Sequence, residues 1–196
     1  MLKNTILSSL LVFSLFLQAC SKEKKESNNE SLTASNIAKA NSVMSKNEYV
    51  LTGLDGKLYT VTKELNGYSV AGTKGKVVIF DIFATWCPPC RATAPHLNSL
   101  QKKYKDDLLV IGVTIESDLP NDKLKEFRNQ YEAQYALVNS DQNRRLVNSI
   151  TSSLNLGEQY PIPIMVLYKD GEIIKHYLGL VEEEFVESDI KLALGK

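Results

Sequence analysis

The stretch Val77-Val78-Ile79-Phe80-Asp81-Ile82-Phe83-Ala84-Thr85-Trp86-Cys87-Pro88-Pro89-Cys90 decides the fold. Val77 to Phe83 is an apolar run of strand length, and the residues after Cys87 have helical spacing. A buried strand therefore feeds straight into a helix that opens with two thiols three positions apart. Such a pair can close into a disulfide and reopen, which makes thiol–disulfide exchange the leading reading. Cys87, at the N-cap or first position, faces unsatisfied N–H groups and the positive end of the helix dipole, and both stabilise a thiolate. Pro88 and Pro89 suit the first turn, where the N–H groups they lack are not needed. Cys90, one turn on and more buried, is expected to resolve mixed disulfides by attacking Cys87.

Other uses of the pair fit less well. A structural zinc site needs four ligands, and beyond the two cysteines only His96 and His176 stand out, so no metal is expected. A purely structural disulfide would close a very small loop and stabilise little.

The chain has 196 residues, 43% hydrophobic and 23% charged, with a formal net charge of zero. That is enough for one ordinary domain with extensions, and it leaves no basic footprint for nucleic acid. Three cysteines exclude a disulfide-stapled scaffold. Residues 1–19 read as a signal peptide, with Lys3 as its positive end and Ile6 to Leu17 as a short apolar core. It closes in Leu17-Gln18-Ala19-Cys20, which resembles a bacterial lipobox, so Cys20 is expected to be lipidated. Acylation of Cys20 would leave Cys87 and Cys90 as the two free thiols. Residues 20–47 read as a flexible lipidated tether, because Ser21-Lys22-Glu23-Lys24-Lys25-Glu26-Ser27-Asn28-Asn29-Glu30 offers almost nothing to bury.

The folded domain is expected over residues 48–196. Tyr49–Thr52 and Lys57–Thr62 flank a Gly53-Leu54-Asp55-Gly56 turn and predict a hairpin. Gly67 to Lys76 reads as loop. Leu108–Ile115 predicts a second buried strand, Asp118–Ala133 an amphipathic helix, and Tyr135–Val138 a short strand. Asp141–Leu154 predicts another helix, Ile164–Tyr168 and Glu172–Tyr177 a hairpin around Asp170-Gly171, and Glu182–Leu194 a final helix. That order is an α/β domain with a mixed central sheet flanked by helices.

The chain resembles the thioredoxin superfamily, and within it the membrane-tethered TlpA/ResA-like thiol-disulfide proteins, over about Tyr49 to Gly195. Phe83-Ala84-Thr85-Trp86-Cys87-Pro88-Pro89-Cys90 matches the family's F-W-A-x-W-C-x-x-C pattern, with Ile82-Phe83 where Phe-Trp is usual, and Pro95 matches its helix kink. The resemblance implies a thioredoxin-like fold with an N-terminal β-hairpin extension and a helix-strand insertion around 118–138. It implies that Ile162–Pro163 is the cis bond facing the cysteines, with the Ile162 backbone pairing to substrate. It also implies that Asp81, costly in an apolar strand unless partnered or proton-active, accepts the proton of Cys90. Trp86, Pro88, Pro89, Ile162 and Pro163 then form the substrate-binding surface, and Cys87, Cys90 and Asp81 the catalytic set. One departure stands out: many TlpA/ResA-like proteins carry a glutamate where this chain has Thr93.

The expected function is protein thiol–disulfide exchange in the bacterial cell envelope, outside the cytoplasm, without a cofactor. A reductase role, in cytochrome c maturation or envelope thiol repair, is the first reading, with a membrane thiol-transfer donor as partner. A disulfide-introducing oxidant, a peroxide-reducing enzyme and a non-catalytic binding lipoprotein are the alternatives.

Overall fold

The structure is a computed structural model that describes residues 46–196. The signal peptide expected over residues 1–19, Cys20 and nearly all of the expected tether lie outside the described residues. The elements, in chain order, are β1 (Glu48–Thr52), β2 (Leu58–Lys63), β3 (Tyr68–Val70), β4 (Val77–Phe83), α1 (Pro88–Lys103) and β5 (Leu108–Thr114). Then follow α2 (Asn121–Gln130), β6 (Ala136–Val138), α3 (Asn143–Ser153), β7 (Ile164–Lys169), β8 (Glu172–Leu178) and α4 (Glu183–Leu194).

The central sheet has five strands in the order β6-β5-β4-β7-β8. β4 runs parallel to β5 and antiparallel to β7. It lies at the middle and every one of its residues is buried, which is why its sequence is a continuous apolar run rather than an alternating one. Successive side chains still take opposite faces. Val77, Ile79 and Phe83 pack in one cluster with Cys87, Cys90, Leu97 and Leu100 of the α1 region, and with Val186 and Ile190 of α4. Val78, Phe80 and Ile82 pack on the other side with Leu146, Val147 and Ile150 of α3. Helices thus cover both faces, and the thioredoxin-like mixed sheet expected from the sequence is present.

Two boundaries differ from expectation. The N-terminal hairpin gains a third strand, because β3 pairs antiparallel with β2 inside the segment read as loop. Its signal was masked by the surrounding glycines; Tyr68 and Val70 alternate inward and are buried, but three residues are too few to stand out. Helix α2 begins at Asn121, three residues late. Asp118 adopts φ 56°, and Pro120 takes an extended N-cap conformation, which together prevent an earlier start. Helix α1 continues through Pro95 as one element.

Candidate active site

The strand-to-helix junction builds the site. Cys87 is the N-cap of α1, in extended conformation, with prolines in the first two helical positions. The Cys90 backbone N–H points at Cys87 Sγ from 3.3 Å. Cys87 and Cys90 form a disulfide with a Cα–Cα separation of 5.3 Å. The two are almost equally covered, 3% and 2% exposed, so the expected contrast in burial is slight. Trp86 beside them is 59% exposed. Pro88 is exposed and Pro89 half-buried.

β7 brings in the opposite wall. Its first residue, Ile164, pairs with Ile82 near the end of β4, so the loop before it must pass the cysteines. The Ile162–Pro163 bond in that loop is cis. The Ile162 carbonyl oxygen lies 3.6 Å from Cys87 Sγ. Pro163 is buried and Ile162 half-buried against the cysteine cluster. Trp86, Pro88, Pro89 and Ile162 therefore rim the disulfide from two elements.

Asp81 lies on the same face of β4 as Ile79 and Phe83, the face that α1 covers, and is 2% exposed. Its Oδ2 accepts a hydrogen bond from the Tyr135 hydroxyl at 2.9 Å. Its Oδ1 is buried and has no hydrogen-bond partner among the described residues. Burial pushes the Asp81 carboxyl up to about 7, partly offset by the Tyr135 hydroxyl. Burial, and then the Asp81 charge, push the Tyr135 hydroxyl well above its ordinary value. Gly112, the β5 partner of Asp81, leaves room for this pair. A Cβ there would stand 2.6 Å from Leu137 and 3.0 Å from the Tyr135 ring.

Thr93 is 1% exposed. Its hydroxyl donates to the Pro89 carbonyl at 3.0 Å, so it is satisfied within its own helix. Tyr160, in the loop that leads to Pro163, lines a recess with Arg144, Val147 and Asn148. His96 Nδ1 is buried without a partner, and no group of metal-ligating residues forms among the described residues.

Glu116 was not foreseen. Its carboxylate accepts the Thr85 N–H at 2.6 Å, the Thr85 hydroxyl at 3.0 Å and the Thr114 hydroxyl at 3.2 Å. From the other side, Arg91 Nε donates to the Thr85 carbonyl at 2.8 Å, while its guanidinium lies over the Tyr131 ring. The peptide groups flanking Thr85, two residues before Cys87, are thus held on both sides. The signal was available: an acid directly after a strand parallel to β4 must emerge at the same end of the sheet.

A redox-active disulfide at a strand–helix junction, opposite a cis-proline loop, defines a thiol–disulfide oxidoreductase of the thioredoxin superfamily. The chain belongs to the Redoxin family, whose profile matches residues 51–194. It is 29% identical over 144 residues to the thiol-disulfide oxidoreductase ResA of Bacillus thuringiensis, covering 73% of each chain. A thioredoxin-family thiol:disulfide interchange protein from Chlorobium tepidum shares the fold, with TM-score 0.61 and 22% identity over 76% of this chain and 94% of that one. A putative protein disulfide isomerase from Bacteroides thetaiotaomicron superposes with TM-score 0.54 and 25% identity, over 76% of this chain and 87% of its own.

Proposed function

We propose that this oxidoreductase works as a reductase of protein disulfides, tethered by lipid at Cys20 to the extracytoplasmic side of a bacterial membrane. The observation that carries the chemistry is the setting of Cys87 Sγ, an N-cap atom with the Cys90 N–H 3.3 Å away. In the reduced protein the Cys87 thiolate attacks a substrate disulfide. A Cys87–substrate disulfide forms and one substrate thiolate leaves. The Cys90 thiolate then attacks Cys87 Sγ, the Cys87–Cys90 bond closes, and the second substrate thiolate leaves. Two electrons pass from protein to substrate. Asp81, through water, takes the Cys90 proton that this second step requires. Trp86, Pro88 and Pro89 present the substrate surface, the buried cis-Pro163 holds the loop opposite them, and the Ile162 backbone pairs with the substrate backbone. A membrane thiol-transfer protein restores the dithiol. Apocytochrome c or damaged envelope proteins are the substrates that this placement favours.

A Cys90→Ala variant is expected to hold its partners as mixed disulfides on Cys87, identifiable by mass spectrometry. Recovery of none, under reducing and oxidising growth alike, overturns the exchange mechanism. The direction is read from the reduction potential. A value more negative than about −200 mV fits a reductase, and one above about −150 mV makes the protein an oxidant.

A further inference from the structure

The far end of the sheet holds a second, chemically different recess of about 510 Å³. It opens where β4 and β5 begin, while Cys87 follows the other end of β4. A seven-residue strand separates the two by roughly 20 Å. Four cations line it: Lys57 after the β1–β2 turn, Lys76 before β4, Lys105 after α1 and Arg128 in the last turn of α2. None of the four forms an ion pair among the described residues. The one carboxylate in the lining, Asp55, accepts the Lys57 backbone N–H at 3.1 Å. Arg128 Nε is covered from solvent and has no hydrogen-bond partner among the described residues.

This concentration runs against the charge of the domain. Five of the 23 basic and three of the 23 acidic residues precede Lys46, which leaves residues 46–196 with 18 and 20. A net-acidic domain nonetheless brings four unpaired cations from four separate segments onto one concavity, where their mutual repulsion opposes folding. A polyanion relieves that repulsion and supplies the missing acceptor for Arg128. Leu58, Leu108 and Leu137 form an apolar part of the lining, and the volume is that of an organic ligand rather than a lone ion. A recess, unlike a convex basic face, suits a soluble molecule better than a membrane surface.

We propose that this recess is a binding site for a small soluble molecule carrying a phosphate or diphosphate group. Isothermal titration of the full chain with inorganic pyrophosphate at low ionic strength tests it. Saturable one-to-one binding is expected, weakened at least tenfold in a Lys105→Gln/Arg128→Gln double variant. A Lys123→Gln/Lys175→Gln double variant, which removes the same charge elsewhere, should bind like the parent. Circular dichroism and disulfide-reductase activity check that both variants fold. Absence of saturable binding, or equal weakening in the two doubles, overturns the proposal. Binding to phosphatidylglycerol vesicles without binding to pyrophosphate likewise overturns it, in favour of a lipid surface. None of these results depends on the direction of electron flow at Cys87.

Discussion

Asp81 is the residue with the sharpest physical consequence. Burial pushes its carboxyl from the ordinary 3.8 up to about 7, so the folded state holds this proton more tightly than the unfolded chain does. The stability linked to it is fully present below about pH 4, declines as pH rises to about 7, and stays low above that. A shift of this size corresponds to about 4 kcal/mol. Asp81→Asn, which keeps an acceptor for Tyr135, should therefore stabilise the oxidised protein at pH 8 by a few kcal/mol. The gain should shrink toward zero near pH 4, as read from urea denaturation across that range. The same variant should slow release of mixed disulfides at neutral pH, because the proposed proton acceptor is lost. A stability difference that does not change with pH would show that Asp81 is already ionised in the native protein. The residue announced itself in the sequence as the single charge in an apolar strand. Its partner Tyr135 did not, since nothing local ties two residues 54 positions apart.

At the scale of elements, the junction between β4 and α1 is held by a residue from neither. Glu116 follows β5, and its charge-assisted bonds to Thr85 fix the turn that presents Cys87. Glu116→Ala is expected to cost about 2 kcal/mol, from loss of a charged partner to a half-buried N–H. Glu116→Gln should cost less, because it keeps an acceptor. Denaturant midpoints of the oxidised proteins measure both, and parity between Glu116→Ala and the parent would refute the clamp. On the same strand, Gly112→Ala forces a Cβ against Leu137 and Tyr135 and should cost about 1–3 kcal/mol. Element types were legible because β4, β5 and β7 are unbroken apolar runs and α2 and α3 keep helical periodicity. What periodicity could not give was the three-residue β3, the start of α2 after Pro120, and Glu116. Each depends on a pairing or turn geometry set by distant residues.

Across the whole molecule, an aromatic column joins the N-terminal sheet to the central one. The Tyr68 ring meets Tyr168 edge-on at 5.5 Å, and Tyr168 meets Phe80 of β4 at 5.9 Å. The Tyr68 hydroxyl donates to Ser149 Oγ of α3 at 2.7 Å. Close approach at Gly67 makes this docking possible, since a Cβ there would stand 2.7 Å from the Gly171 carbonyl oxygen and 2.8 Å from the Tyr168 ring. Gly67→Ala should thus lower the midpoint of thermal unfolding by several degrees, with a cost of about 2 kcal/mol. It should leave the reduction potential of Cys87–Cys90 unchanged, because the contact lies on the opposite face of β4. A shifted potential would mean that the two faces of the sheet communicate.

The chain contains one tryptophan, and it is the exposed Trp86, covalently next to Cys87. Disulfide sulfur quenches a neighbouring indole, and opening the bond removes that quencher. The emission of the native protein is thereby a built-in optical gauge of its own electron count, with no second indole to dilute the signal. Turnover can be followed by eye of the fluorimeter alone, without a label and without touching either thiol.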